Sequence, residues 1–260
     1  VVTEIVGGCL SVPNTVAVSP RVWLEGPYVA AAGLMRDDLR TASLIPTTEP
    51  YTALGFTQVG GGGEQIEPGV LAITGNNAIV DWVLVELRAT TAPYTVLATR
   101  CALLQRDGDV VSVDGVSPVS FQAAPGSYRV AVRHRNHFGV MTASDMSLGS
   151  ATSVVDMRSA ATSCHGTNAR KDLGGGVMAL WAGNARPDGQ LLYTGLNNDR
   201  DPILVVIGGV VPTNIITGYY LEDVNLSGEV KYTGVENDRD IILVNIGGSI
   251  PTNSISQQLP

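Results

Sequence analysis

The sequence predicts a mainly β protein, and three observations support this class. The 260-residue chain contains 30 Gly and 14 Pro, and only 15% of its residues are charged. Glycine supplies positive φ angles in turns and proline presets them, so this composition suits many short strands better than long helices. Short apolar runs alternate with Gly, Pro, Asn and Asp, which is the pattern of an antiparallel β-sandwich.

Several segments in the first 160 residues have the composition and length of strands. The run 79–88 is apolar almost throughout, as expected of a central strand that is covered on both faces. Its carboxylates Asp81 and Glu86 are an odd number of residues apart, so we expect them on opposite faces and not as an acid–base pair. The predicted strands are 15–19, 21–24, 70–73, 79–88, 95–104, 110–113 and 127–133.

The length and a change of pattern along the chain predict two domains. A chain of 260 residues can form two ordinary domains, each with its own core. A glycine run at 174–176 has the composition of a flexible hinge and precedes a repeated segment. We therefore expect a β-sandwich domain at 1–165 and a small repeat domain at 176–260.

The C-terminal part contains a tandem repeat with a period of 39 residues. Residues 184–214 and 223–253 are identical at 17 of 31 positions without a gap. Chance does not produce this degree of identity, so we expect the same structure twice. Neither copy can bury its apolar residues alone, and the two should therefore pack on each other or on the β domain.

Each copy is predicted to be a loop that leads into a helix of about two turns. After an Asn-Asp-Arg-Asp cluster, apolar residues recur at the spacing of one helix face. Asp199 and Asp238 lie at the expected N-cap positions, and the Gly-Gly pairs at 208–209 and 247–248 should end the helices.

The loops have the pattern of a calcium site. In the second copy, Asp223, Asn225 and Ser227 place oxygen atoms at alternate positions ahead of a glycine, as in EF-hand-type loops. The first loop has Arg186 at its middle position, and because this cation repels calcium we expect the second loop to bind better. Alternatively, these side chains only cap helices and form turns. The predicted metal ligands are Asp223, Asn225, Ser227, Asp238 and Asp240 in the second copy, and Asn184, Asp188, Asp199 and Asp201 in the first.

Residues 183–253 resemble dockerin-like type I repeats, in which two loop–helix halves each bind calcium. The chain departs from that family at Gly195 and Gly234, which occupy the position of the closing acid, and at Arg186. The resemblance implies a small calcium-binding domain that docks to a protein of the cohesin type.

A second resemblance covers most of the chain. It rests on the segments LEGPY (24–28), LAITGNNAIVDW (71–82), LLQRDGD (103–109) and RHRNH (133–137), and on Gln258-Leu259-Pro260. These are similar to the C-terminal module of large secreted bacterial surface proteins of the adhesin and hemagglutinin type, often associated with type IX secretion. The resemblance implies a location outside the cell or on its surface.

The sequence favours a protein without catalytic activity. No GxSxG, P-loop or Rossmann fingerprint occurs in it. His134, His137, Cys164 and His165 are zinc-binding residue types, but residues 134 and 137 should point to opposite faces of a strand. A Cys–His hydrolase is also disfavoured, because nothing in the sequence supplies an orienting group or an oxyanion loop around Cys164 or Cys101.

Charge and hydropathy restrict the partners. The net charge of −8 leaves no basic stripe to neutralise phosphates, so we expect no nucleic-acid binding. No run approaches the ~18 apolar residues of a membrane-spanning helix. The three cysteines, Cys9, Cys101 and Cys164, allow at most one intramolecular disulfide and leave the redox compartment open.

These observations together predict a non-enzymatic extracellular or cell-surface structural or adhesive protein with calcium-binding repeats. The apolar N-terminal segment could add a strand to a neighbouring chain, which would give a homo-oligomer or a surface fibre. One alternative is a docking or anchoring module that binds a cohesin-like partner or serves secretion. Another is a carbohydrate-binding module that uses Trp23, Trp82 and scattered tyrosines.

Overall fold

The computed structural model describes residues 15–260 and confirms a mainly β chain with several sheets. The part of the chain that precedes the repeat contains one short helix, α1 (Asp38–Thr41). It also contains two 3-10 helices, at Val70–Ala72 and Gly75–Asn77. The strands that precede the repeat are β1 (Thr15–Arg21), β2 (Tyr28–Val29), β3 (Leu34–Met35), β4 (Ile79–Arg88), β5 (Val96–Gln105), β6 (Val110–Val111), β7 (Val119–Gln122), β8 (Gly126–Arg133), β9 (Val140–Met141), β10 (Met146–Leu148), β11 (Ser153–Asp156), β12 (Lys171–Gly174) and β13 (Val177–Ala179).

Strand β4 lies at the centre of the largest sheet. This six-stranded sheet has the order β10-β8-β4-β5-β6, with β9 also paired to β8. All ten residues of β4 are buried, which confirms the predicted central strand and explains its continuous apolar sequence. A separate three-stranded sheet has the order β11-β1-β7 and is mixed, because β1 pairs with β11 in parallel and with β7 antiparallel.

Three segments differ from the prediction. Residues 22–24 are not in a strand, and residues 70–72 form a 3-10 helix that follows Gly69, whose φ is +90°. A short apolar run is compatible with either a strand or a buried helical turn. Here the positive φ of Gly69 favours the turn, because few other residues adopt this conformation. The glycines at 174–176 lie at the turn of the β12–β13 hairpin, so the interpretation as a hinge was wrong.

Each copy of the repeat consists of a strand, a helix and a second strand. The predicted two-turn helices are present, and each is followed by its Gly-Gly pair with positive φ angles. The flanking strands were not predicted. The elements are β14 (Gln190–Leu192), α2 (Arg200–Val206) and β15 (Ile215–Thr217) in the first copy, and β16 (Glu229–Lys231), α3 (Asp238–Asn245) and β17 (Ser254–Ser256) in the second.

The two copies form one repeat unit, residues 184–256, with pseudo-two-fold symmetry. Strand β14 pairs with β17, and β15 pairs with β16, so the first strand of each copy is hydrogen-bonded to the last strand of the other. The hydroxyl of Thr194 donates to the carbonyl of Pro251 at 2.9 Å, and Thr233 makes the equivalent bond to Pro212 at 2.9 Å. Helices α2 and α3 also contact each other, which confirms the expected packing between copies.

The apolar residues form two clusters that cross the boundary between the sheets and the repeat unit. The first surrounds β4 and includes Leu226 of the repeat unit. The second contains Ile203 and Ile242 from the two helices and includes Phe138, which follows β8. Within the described residues, no helix has the length and hydropathy needed to cross a membrane.

Gly26 lies where the backbone of the β part closely approaches the backbone of the repeat unit. A Cβ atom at this residue would lie 2.3 Å from the carbonyl oxygen of Val224 and 2.9 Å from the Cα of Asn225. Because both contacts are with backbone, we expect Gly26→Ala to lower the free energy of unfolding by about 1–3 kcal/mol, the usual cost of overpacking. Gly149→Ala is the control, since its Cβ would have no atom within 4 Å. Urea denaturation of both variants tests this, and equal stabilities would contradict the close approach.

Candidate functional site

The loop of the second copy folds around the carboxylate of Asp238. This buried side chain accepts hydrogen bonds from the backbone N–H groups of Val224 at 2.9 Å and Lys231 at 2.8 Å. A longer bond of 3.3 Å comes from the N–H of Asn225. One carboxylate therefore joins the beginning of the loop to the strand that follows it.

The predicted ligands Asp223, Asn225 and Ser227 lie together in this loop. Asp223 accepts bonds from the N–H groups of Ser227 at 2.9 Å and Gly228 at 2.8 Å. The Oδ1 of Asn225 accepts from the same N–H of Ser227 at 2.8 Å. The side chains of Asp223 and Asn225 thus converge on the turn at 227–228, while the hydroxyl of Ser227 donates to the carbonyl of Glu229 at 3.1 Å.

The first loop repeats this arrangement in part. Asp199 is buried and accepts from the N–H groups of Arg186 at 3.0 Å and Leu192 at 2.9 Å, which correspond to the donors of the second loop. Asn184 replaces the aspartate at the first position, and its buried Oδ1 has no hydrogen-bond partner. Asp188 accepts from the N–H of the residue two positions later at 2.9 Å. The first loop therefore has one buried carboxylate where the second has two.

Asp199 occupies the predicted N-cap position of α2, but its side chain makes no capping bond. At α3 the N-cap is Asn237, so the prediction of Asp238 was wrong. In both copies the capping bond is made by an asparagine, Asn198 or Asn237. The Oδ1 of each asparagine accepts the N–H of the residue three positions later, at 2.9 Å and 3.0 Å. The aspartates make no capping bond because their carboxylates point into the loops, where several N–H groups need an acceptor.

Asp201 and Asp240 lie apart from these buried carboxylates, on the exposed side of the helices. Their side chains are 55% and 53% exposed and form ion pairs with Arg200 at 3.0 Å and Arg239 at 2.9 Å. Each also accepts a bond of 2.8 Å from the capping asparagine of its copy. Five of the nine predicted ligands are therefore buried around the loops, Ser227 is partly buried, and Asp188, Asp201 and Asp240 are exposed.

The buried loop carboxylates are unusually hard to ionise. Burial raises the pKa of Asp238 to about 8, and the nearby Asp223 adds to this shift. Burial also raises the pKa of Asp223 to about 6 and that of Asp199 to about 7. None of the three forms a salt bridge with a described residue. The second loop thus places two carboxylates close together in a poorly solvated position.

A buried polar network that the sequence analysis missed joins the largest sheet to the repeat unit. Asp81 on β4 accepts bonds from Arg135 Nε at 2.9 Å, from the hydroxyl of Tyr219 at 2.6 Å and from His134 Nε2 at 3.1 Å. Burial opposes ionisation of Asp81, but Arg135 and His134 outweigh it and lower its pKa to about 2. Asp81 is therefore charged at neutral pH and pairs with Arg135.

The residues that follow β8 hold the chain segment that leads into the second loop. The guanidinium of Arg135 lies 4.2 Å from the ring centre of Tyr219 and donates a hydrogen bond to the carbonyl of Tyr220. The side-chain amide of Asn136 donates to the carbonyls of Leu221 at 2.8 Å and Asp223 at 2.7 Å. The second loop is thus anchored directly to the sheet.

His134 and His137 lie side by side, so the expectation that they point to opposite faces was wrong. Strand β8 ends at residue 133, and the two Nδ1 atoms are 3.1 Å apart. Burial lowers the pKa of both rings, which keeps them neutral. His134 then donates its Nε2–H to Asp81, while His137 Nε2 accepts the N–H of Gly26 at 3.2 Å. Both histidines serve the network.

Cys164 and His165, the other two residues of zinc-binding type, have different neighbours. Cys164 belongs to a single β-bridge with Thr142, and His165 packs edge-on against Tyr94 with ring centres 5.1 Å apart. Cys164 and Cys101 are free thiols, and burial raises the pKa of both, which disfavours the nucleophilic thiolate. Cys9 lies outside the described residues.

One group of three potential metal ligands was not predicted from the sequence. Ligand atoms of Glu49, Glu64 and Cys101 lie within 4.8 Å of one another. The thiol of Cys101 donates a hydrogen bond of 3.3 Å to Glu49, which also accepts from the N–H groups of Thr52 and Gly63. These side chains come from distant positions, so no local spacing could have indicated them.

The two tryptophans of the predicted carbohydrate site are core residues. Trp23 is 8% exposed and Trp82 is fully buried. The indole N–H of Trp82 donates to the carbonyl of Pro46 at 2.9 Å. Neither ring presents a face on which a sugar could stack.

Comparisons with known proteins gave no relative from which a role could be inferred. No family model matches the chain, and neither the curated proteins nor the solved structures that were searched yielded a match.

Removal of the Asp81 carboxylate should be strongly destabilising. Asp81→Asn leaves the buried guanidinium of Arg135 without its counter-ion, and breaking a buried pair costs about 3–5 kcal/mol. Asp109→Asn is the matched control, since its ion pair with Arg21 at 2.8 Å is about one-third exposed and should contribute less than about 1 kcal/mol. Urea unfolding at neutral pH measures both. Similar losses in the two variants would show that the network does not depend on the charge of Asp81.

The raised pKa of Asp238 should make stability depend on pH. Between the ordinary aspartate pKa of about 4 and the folded value of about 8, the folded chain keeps a proton that the unfolded chain has lost. Stability therefore falls as pH rises through this range and is constant above it. Asp238→Asn removes the titrating group. The free energy of unfolding of the wild type minus that of the variant, measured by urea denaturation, should therefore decrease from pH 5 to pH 9. Asp240→Asn is the control, because the pKa of this carboxyl is lowered and the corresponding difference should stay flat.

Proposed function

We propose that the chain is a non-enzymatic extracellular structural or adhesive protein whose second repeat loop binds calcium. One observation carries the proposal: Asp223 and Asp238 are buried near each other and neither has a cationic partner in a salt bridge among the described residues. Two adjacent carboxylates repel when both are charged, and a divalent cation relieves this repulsion.

The second loop offers the oxygen atoms that calcium requires. Calcium takes six to eight oxygen ligands in flexible geometry, and carboxylates, amide carbonyls and backbone carbonyls all serve. Asp223, Asn225 and Ser227 supply three side-chain oxygens at alternate positions. Their bonds to N–H groups within the loop leave further lone pairs on the same oxygens. The loop is thus folded in advance, which lowers the entropy cost of binding.

The first loop is proposed as the weaker site. It has the uncharged Asn184 where the second loop has Asp223, and Arg186 where the second has Asn225. The third change, Asp188 in place of Ser227, adds a carboxylate that is exposed. The side chains at these three positions therefore carry no net charge in the first loop and one negative charge in the second.

The proposal includes a more detailed assignment of the two parts of the fold. We interpret the two larger sheets as a β-sandwich, supported by the contacts of β5 with β7 and of β1 with β6. We interpret the repeat unit as dockerin-like, supported by its two loop–helix halves, although each half also carries two short strands.

A structural role also agrees with the use of the chemically reactive side chains. The histidines of the buried network are neutral and hydrogen-bonded, and the described thiols are protonated.

Docking to a cohesin-like partner is the second proposal for the same unit. Strand addition by the N-terminus remains a prediction, because that segment lies outside the described residues. Trp23 and Trp82 are buried, which argues against carbohydrate binding through these two residues.

Calcium should stabilise the folded chain through linkage, since a ligand that binds only the folded state raises its melting temperature. We expect the melting temperature of the wild type to rise when excess chelator is replaced by calcium, by about 2–4 °C for each 1 kcal/mol of binding. Asp223→Asn, which introduces the residue of the first loop, should remove most of this rise. Differential scanning calorimetry measures both.

Asp172→Asn provides the matched control for this experiment. Asp172 is exposed and accepts an N–H within its own turn, as Asp223 does, but it lies in the β12–β13 hairpin. Its substitution should leave the calcium response unchanged. An identical melting temperature of the wild type in calcium and in chelator, with no metal detected by mass spectrometry, would reject calcium binding.

A further inference from the structure

Three side chains from separate parts of the fold meet where the β part borders the repeat unit. Lys171 is the first residue of β12, Glu25 lies between β1 and β2, and Asn245 is the last residue of α3. Asn245 is buried, and the side chains of Lys171 and Glu25 are 21% and 13% exposed. We call these three residues the amine–amide cluster.

Each member of the amine–amide cluster is hydrogen-bonded to the other two. The Nζ of Lys171 donates to Oε1 of Glu25 and, at 2.5 Å, to Oδ1 of Asn245. The Nδ2 of Asn245 donates to Oε2 of Glu25 at 2.8 Å and to the carbonyl of Ala182 at 2.9 Å. The N–H of Ala182 donates to the same Oε2 at 2.9 Å. The carboxylate of Glu25 therefore bridges the amine of Lys171 and the amide nitrogen of Asn245.

The contact between Lys171 and Asn245 places an amine beside an amide carbon. Because a C=O bond is about 1.2 Å long, the Nζ of Lys171 lies no more than about 3.7 Å from the Cγ of Asn245. Two groups held at about 3–3.5 Å react far faster than the same groups free in solution, since the entropy cost of bringing them together has been met by folding. The geometry thus favours a reaction between these two side chains.

The repeat itself does not require an asparagine at this position. The equivalent residue of the first copy, 39 positions earlier, is Val206, which packs against the second apolar cluster. The ion pair with Glu25 does not require a lysine either, because an arginine also pairs with a carboxylate. The chain has only two lysines, Lys171 and Lys231. The particular chemistry of the cluster is therefore the combination of an amine, an amide and a carboxyl group.

We propose that Lys171 and Asn245 become joined by an isopeptide bond in the folded chain, with Glu25 as the general acid and base. Glu25 takes a proton from the ammonium of Lys171, and the neutral Nζ attacks the Cγ of Asn245. Glu25 carries two protons, one after the other, from Nζ to Nδ2. The Cγ–Nδ2 bond breaks, and Nδ2 leaves as an ammonium ion. One Nζ–Cγ bond replaces one Cγ–Nδ2 bond, so the step needs no oxidant or reductant.

The bond connects strand β12 to helix α3, whose linked residues are 74 positions apart. It therefore ties the repeat unit covalently to the β part, next to the contacts that already hold the two together. A cross-link between distant residues restricts the unfolded chain, which suits a protein with a structural role. The proposal goes beyond the proposed function, and it does not depend on calcium binding by the second loop.

The intact mass of the purified, denatured chain tests the proposal. We expect the wild type to be lighter than its sequence by one ammonia, about 17 Da, and a protease digest to contain one peptide that joins Lys171 to Asn245. Lys171→Arg lacks the amine nucleophile, and Glu25→Gln lacks the proton carrier, so both should have the full sequence mass. Lys231→Arg is the matched control. Lys231 pairs with Glu229 at 2.7 Å, and its substitution should leave the loss of ammonia unchanged.

Circular dichroism shows which variants are folded, since the bond forms only between side chains that folding brings together. The wild type decides the matter even if a variant does not fold. A wild type with the full sequence mass, or one that has lost ammonia but yields no peptide joining Lys171 to Asn245, overturns the proposal. A Lys171→Arg variant that still loses ammonia does the same. A folded Glu25→Gln variant that is cross-linked as completely as the wild type overturns the role of Glu25.

Discussion

The buried ion pair between Asp81 and Arg135 fixes the repeat unit against the largest sheet. Burial removes both charged groups from water, which costs free energy. Such a pair is stable only when the other hydrogen-bonding atoms of the two groups also have partners. Here Tyr219 and His134 complete the shell of Asp81, while Arg135 reaches the carbonyl of Tyr220. The cation that compensates Asp81 thus comes from the segment after β8, while the repeat unit supplies the hydroxyl of Tyr219 and the carbonyl of Tyr220. The network therefore has members from both parts of the chain.

Pairing between the copies imposes a second constraint. Each strand of one copy is bonded to a strand of the other, so one copy alone would leave two strand edges and an apolar helix side without partners. This coupling permits the two loops to diverge in sequence while the backbone remains symmetric. Asp199 and Asp238 hold equivalent N–H groups in both copies, those of Leu192 and Lys231, whereas Asn184 and Asp223 differ in charge. The duplicated scaffold thus carries two loops with different numbers of buried carboxylates.

Features that depend on local sequence could be predicted, and those that depend on distant contacts could not. The repeat, the two-turn helices, their glycine stops and strand β4 follow from periodicity and turn residues. The N-cap of α3 is Asn237 and not Asp238, because the carboxylate of Asp238 is used by the loop, whose closure depends on contacts that local sequence does not show. The Asp81 network joins residues up to 138 positions apart, so no spacing could indicate it. The three-residue strands are too short for an alternating pattern to be recognised.

The same contacts connect the second loop, the proposed calcium site, to the sheet. Asn136 holds the carbonyl of Asp223, and the charge of Arg135 acts on the carboxyl of Asp223 to lower its pKa against the effect of burial. A cation in the loop would face both the carboxylates and the field of this guanidinium, which would weaken its attraction to the loop. The ion pair that orients the repeat unit therefore also contributes to the electrostatic potential in the loop. Because Asp81 pairs with Arg135 and offsets its charge, any affinity of the loop for a cation should depend on a carboxylate of the central strand.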